Sequence, residues 1–196
     1  VRIADLDLVN PYFRTREARK ALEALGIQVV LPPQEYMQAD LPILSPAIAG
    51  MIRQPDGLTL LDVGGDDAGA TVLAALGDAF AGMDVQMLQV VNPLRPQTAT
   101  VEGCLKIKDE IEVAAKLTVT GLIGNANLID ETGAAEILEG HDFLQQLSVA
   151  SGLPLAFITV AQELLAVIEV EQFACPVLPI ARQLVPPWKS AVKFGN

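Results

Sequence analysis

The chain has 196 residues, 51% of them apolar and 19% charged, which excludes a disordered segment and suffices for one core. Its net charge of -11 argues against gripping nucleic acid or an anionic membrane surface through bulk electrostatics. No apolar run reaches the roughly 18 residues of a membrane span and no secretory signal opens the chain, so we expect one soluble, cytoplasmic domain over residues 1–196.

Residues 1–5 read as the end of a strand. Residues 15–25 (TREARKALEAL) carry apolar groups at helical spacing and stop at Gly26, a good helix C-terminus. Residues 27–31 (IQVVL) form a compact strand pattern ended by Pro32 and Pro33, and 42–52 read as helix. A strand at 57–62 (GLTLLD) opens into a turn at Gly64-Gly65, followed by a helix over 68–80. The next strand, 85–91 (VQMLQVV), is closed by Asn92-Pro93, and 98–117 is the longest helix, with acid–base pairs at i,i+4. Strands at 119–123, 155–160 and 177–180 alternate with a helix at 133–151 and a short one near 162–168. Continuous apolar strands alternating with helices predict an α/β fold with a mostly parallel sheet covered by helices on both faces.

Two cysteines, Cys104 and Cys175, match no metal or disulfide spacing and read as small core residues in a reducing compartment. Ligands of open parallel sheets gather at the carboxyl ends of the strands. Three such ends are polar here: Asp5 to Asn10, Asp62 to Asp67, and Gly124 to Asn127. Asp62 ends an apolar strand, where a carboxylate is costly unless it meets a cation or fixed donors. Gly64 and Gly65 would let backbone amides approach an anion, and Asp66 and Asp67 stand where a helix starts. The same residues also make an ordinary turn and N-cap.

Asp5 and Asp7 share one side of a strand, as a water-orienting or Mg²⁺-supporting pair or as a plain loop before Pro11. Asn125 and Asn127 offer donors and acceptors to a base edge, or cap a loop. Arg14, Arg16, Arg19 and Lys20 read better as a solvated helix face than as a phosphate site. His141 has no second histidine and is set aside from catalysis, while Trp188 reads as a tail anchor.

Together these segments resemble the MinD/ParA-type P-loop ATPases, including the cobyrinic acid a,c-diamide synthase-like members and the nitrogenase iron protein. ADLDLVNPYFRTREA is similar to the second strand and switch I of that family, and LLDVGGDDAGA to its switch II. GLIGNANL resembles the strand and asparagine that contact adenine. VVNPLRPQT resembles the strand before it, and PVLPIARQLVPPW the closing strand. The resemblance implies a P-loop NTPase-like three-layer sandwich, ATP and Mg²⁺ as cofactors, and an ATP-dependent homodimer. It places Asp62 near Mg²⁺ through water and Asp7 or Asp66 near the attacking water. Asp5, Asn10, Gly64, Gly65 and Asn125 fall among nucleotide-binding positions, with Asn125 on adenine.

The departure from the family is its phosphate loop. No G-x-x-x-x-G-K-S/T occurs, and none of the six lysines follows a glycine. We therefore expect that the first strand, P-loop and first helix are missing from this sequence or were lost, and that the chain alone does not hydrolyse ATP. It would also leave an edge of the sheet exposed. A non-catalytic α/β protein-interaction module is the alternative, and an amide-synthase-like domain a third reading. No cysteine pair near switch II suggests a cluster shared across a dimer.

Overall fold

A computed structural model describes residues 1–7, 15–31, 46–182 and 184. The chain is α/β, with two wholly parallel sheets of three and four strands. It divides into two compact units, Val1–Val85 with Ile111–Leu117 and Gln183–Asn196, and Gln86–Glu110 with Thr118–Arg182.

In the first unit, β1 (Arg2–Asp5) lies between β2 (Gln28–Val30) and β3 (Thr59–Asp62). The register pairs Arg2 with both Gln28 and Thr59, and Asp5 with Asp62. A 3-10 turn at Thr15–Ala18 leads into α1 (Arg19–Ala24), and Gly26 takes the left-handed conformation (φ 76°) that lets the chain turn into β2. The helix α2 (Pro46–Arg53) buries Ile48, Met51 and Ile52, one stripe at i, i+3, i+4. Its last carbonyls are held by Arg2, whose Nη2 donates to Met51 O (3.2 Å) and Gln54 O (2.9 Å).

The helix expected over 68–80 is two, α3 (Asp67–Ala74) and α4 (Gly77–Phe80). Gly77, a poor helix former, stands at the break. The expected helix at 42–52 is observed from Pro46, and residues 42–45 lie outside the described residues.

In the second unit, β4 (Leu88–Val91), β5 (Gly121–Gly124), β6 (Leu155–Ala161) and β7 (Val177–Ile180) are neighbours in chain order. The helix α5 (Val101–Ala115) joins β4 to β5, and α6 (Ala134–Ser151) joins β5 to β6 and packs on both. Glu136 reaches back to the Gly133 N–H (2.8 Å) at the start of α6, and Gly152 closes it in the left-handed conformation (φ 71°). One core cluster joins Val91, Cys104, Leu122, Leu144 and Leu147; a second joins Ala126, Ile137, Ile158, Val160, Ile168 and Phe173. Burial pushes the Cys104 thiol up to about 11, so it is an inert core group.

Strands β4 and β5 begin later than the sequence suggests. Thr120 closes the entry to the ladder instead, exchanging bonds with Met87 through both its backbone N–H (2.8 Å) and its hydroxyl. The strands read at 27–31, 57–62, 85–91, 119–123 and 155–160 all form, but their burial is uneven. Leu60 is 44% exposed, and Val90 in β4 is 58% exposed where its neighbours Gln89 and Val91 are buried. In β4 the alternation of exposed and buried residues shows one face covered and the other open. Among the described residues no helix is long and apolar enough to cross a membrane.

Candidate functional site at the carboxyl ends of the strands

In the first unit the in-register pairing of Asp5 with Asp62 puts two carboxylates side by side where β1 and β3 end, and Leu6 N–H continues the ladder onto Asp62 O (2.7 Å). Asp5 is completely buried. A bare carboxylate there would be prohibitively costly, and Arg16 supplies the counter-charge. The Arg16 N–H and Nε both donate to Asp5 Oδ2 at 2.8 Å, and Nη2 donates to Asp5 Oδ1 and to Asp7 O, each at 2.8 Å. This fork raises the Arg16 guanidinium above its ordinary value, chiefly through its bond to Asp5. Arg16 is therefore no part of a solvated helix face. The reading of the basic run holds for Arg19, which pairs with Glu23 on the surface (2.7 Å), and fails for Arg16. Arg14 lies outside the described residues, as does Asn10.

Asp7 is buried as well, and its N–H donates to Asp5 Oδ1 (3.2 Å). A Cβ placed on Gly64 would stand 3.4 Å from Asp7 Oδ1, 3.9 Å from Asp66 Oδ1 and only 3.0 Å from Gly69 Cα. Gly64 is thus fixed by close packing, whereas a Cβ on Gly65 would meet open space. Asp66 has extended backbone and caps α3, its Oδ1 accepting from Gly69 N–H at 2.7 Å. So the turn that reads as phosphate-facing is at the same time a helix cap.

Asp62 accepts from the Thr15 hydroxyl at 2.5 Å. Burial is the largest influence on its carboxyl and raises its pKa; the Thr15 bond opposes this, and the charges of Asp5 and Asp7 add to the rise. The folded chain therefore binds the Asp62 proton more tightly than the unfolded chain. The ionised carboxylate destabilises the fold increasingly as pH rises from the ordinary carboxylate value through the raised one. Asp62→Asn removes that charge and can still accept from Thr15. Its melting temperature at pH 7 should rise by a few degrees, the scale set by about 1 kcal/mol in a chain this size, and the gain should shrink toward pH 4. Thermal denaturation at the two pH values reads it.

In the second unit the site residue is Asn125, directly after β5. Its N–H donates to Val91 O on β4 (2.9 Å), and its Oδ1 accepts the Thr159 hydroxyl of β6 (2.8 Å). Asn127 takes the loop-capping role instead, accepting Ile129 N–H at 2.6 Å. Asn92, read in the sequence only as a strand end, ties the loops together. Its Nδ2 donates to Asn127 O (2.8 Å), and its Oδ1 accepts Leu94 N–H and Asn127 N–H. The Asn-Pro dipeptide is the one signal that could have marked it. Ile129 has φ 63°, rare for a β-branched residue, and is held there by Asn127 and Thr132.

His141 is a satisfied core histidine, accepting Ala174 N–H at Nε2 (3.2 Å) with the Phe173 ring edge-on at 5.0 Å. Trp188 lies outside the described residues. No family model, curated protein or solved structure matches the chain.

Among the described residues no three Cys, His, Asp or Glu side chains converge as a metal centre. Asp62 has one carboxylate oxygen on the Thr15 hydroxyl, so the described side chains by themselves make no cage for Mg²⁺.

Proposed function

We propose that this chain is part of an ATP-binding ATPase domain of the MinD/ParA type, incomplete over residues 1–196 and inactive in that form. The observation that carries the reading is the paired register of Asp5 and Asp62 at the carboxyl ends of parallel strands, followed at once by the glycine turn and the Asp66 cap. That is where an open parallel sheet binds ligands. In this reading Asp62 acts on Mg²⁺ through water, and Asp7 or Asp66 orients the attacking water. The amides of Gly64 and Gly65 would face phosphate. ATP-dependent homodimerisation and a cytoplasmic location belong to the same proposal.

The reading requires a phosphate loop from outside these residues, carried on a further parallel strand. The β3 edge, Thr59–Asp62, has no lysine or proline to blunt it and would accept such a strand. Without the loop's lysine and amide nest, the clustered carboxylates repel a triphosphate.

Calorimetric titration of Mg-ATP tests this. Residues 1–196 should show no micromolar binding. Joined to the coding sequence upstream of Val1, with an in-frame G-K-S/T loop, the chain should bind, and Asp62→Asn should lower turnover more than affinity. Micromolar binding by residues 1–196 alone would mean that other groups hold the phosphates and would defeat the reading.

One observation favours the alternative, a non-catalytic interaction module. The acidic strand ends are engaged by the protein's own groups, Arg16, Thr15 and the Gly69 N–H. A start codon at the position of Val1 would support that module.

A further inference from the structure

We infer that His141 is an acid-released latch: its neutral imidazole holds the segment 162–175, which crosses from β6 to β7, and protonation lets that segment go. His141 is the single histidine of the chain and is buried on α6. Its Nε2 lies 3.2 Å from the Ala174 nitrogen. A backbone N–H can only donate, so Nε2 is the bare nitrogen and the ring's one proton sits on Nδ1. A second proton from solvent therefore has one place to enter, the Nε2 lone pair, where it displaces Ala174. Both nitrogens of the imidazolium are donors, so no turn of the ring restores an acceptor. The latch is independent of whether the chain binds ATP.

The segment gives way, and α6 does not. A Cβ on Gly140 would stand 2.4 Å from the Ala126 Cβ, so α6 is tightly packed beside His141. The segment has two short 3-10 turns, Gln162–Leu164 and Val170–Gln172, and among the described residues its other backbone bonds up to Phe173 join positions three apart. Phe173, 5.0 Å from the His141 ring, and Ile168 belong to the second core cluster, so release bares apolar surface. No charge faces the ring from the sheet, where His141 shares a small cavity with Gly124, Ala126, Ile158 and Thr159. On its own helix, Asp142 Oδ1 lies 3.7 Å from Nδ1 and attracts the charged ring. In the segment, Glu163, Glu169 and Glu171 are exposed, and burial raises the Cys175 thiol, which is uncharged.

Amide hydrogen exchange of the ¹⁵N-labelled chain, followed by NMR, tests this. The protection of Ala174 N–H, corrected for the intrinsic effect of pH, should fall about tenfold between about pH 7.5 and about pH 5.5, the scale of a lost hydrogen bond with two N–H groups left face to face. Leu122 N–H, bonded to Pro154 O at the sheet, should keep its protection. In His141→Gln the side-chain oxygen can accept Ala174 N–H and does not titrate, so Ala174 should stay protected at both pH values. The imidazole ¹⁵N spectrum of the unsubstituted chain at neutral pH needs no variant and should show the proton on Nδ1. A proton on Nε2 there, or Ala174 protection that does not change with pH, would overturn the inference. So would an equal fall in a folded His141→Gln. Loss of Leu122 protection in step with Ala174 would also overturn it, because the event would then be unfolding of the sheet rather than release of the segment.

Discussion

Arg16→Met should lower the stability of the fold by about 3–5 kcal/mol, the loss expected when a buried ion pair is broken from one side. Asp5 has no access to water, and every bond shown to its carboxylate from a cation comes from Arg16. Removing the guanidinium strands a negative charge and also frees Asp7 O. In a chain of this size the melting temperature should fall by roughly 10 °C. Arg16→Lys should recover only part of the loss, because an ammonium cannot span both carboxylate oxygens. The double variant Asp5→Leu with Arg16→Met should recover much more, since an apolar pair of similar volume avoids the buried charge. Urea denaturation of the four proteins decides the matter. A loss below about 1 kcal/mol for Arg16→Met would mean that the pair behaves as a solvated one.

Gly69→Ala should destabilise by about 1–3 kcal/mol, as overpacking does. Helix propensity alone gives the opposite sign, a gain of about 1 kcal/mol for Gly to Ala inside a helix such as α3. The new methyl would lie 2.6 Å from Gly64 Cα and 2.9 Å from Gly64 C, and backbone atoms cannot turn away. Relief requires α3 to move off the turn, which stretches the bond from Gly69 N–H to Asp66. Hydrogen exchange at Gly69 and Ala70 should therefore accelerate more than the global loss of stability accounts for. A variant more stable than the original would show that the turn and helix are not in close contact.

Much of the architecture is legible because it rests on local periodicity. Runs such as 155–160 and the helical spacing of 133–151 fix the identity of their elements, and Gly26 and Gly152 mark helix ends through their backbone freedom. What the periodicity does not carry is the neighbour across the sheet. Val90 and Leu60 look like core residues in sequence and are exposed, Val90 on the face of its strand opposite the buried Gln89 and Val91. The same holds for the site. The strand-end rule brings Asp5, Asp7, Asp62, Gly64 and Asp66 to one end of the first sheet. It could not say that Arg16 belongs to Asp5, because a helical wheel sorts Arg16 with Arg19 and Lys20. The deciding carboxylate lies on a strand that the wheel does not contain. Thr15 on Asp62 and Thr159 on Asn125 escaped for the same reason, since each bond joins residues more than thirty positions apart.

The clamp at Asp5 links two elements that lie apart in the sequence. Arg16 stands in the 3-10 turn ahead of α1 and holds Asp5 and the Asp7 carbonyl at the end of β1, so one side chain fixes the start of that helix and the end of that strand. A substitution at residue 5 or at residue 16 is therefore felt in both elements, and the two positions can change at low cost only as a pair.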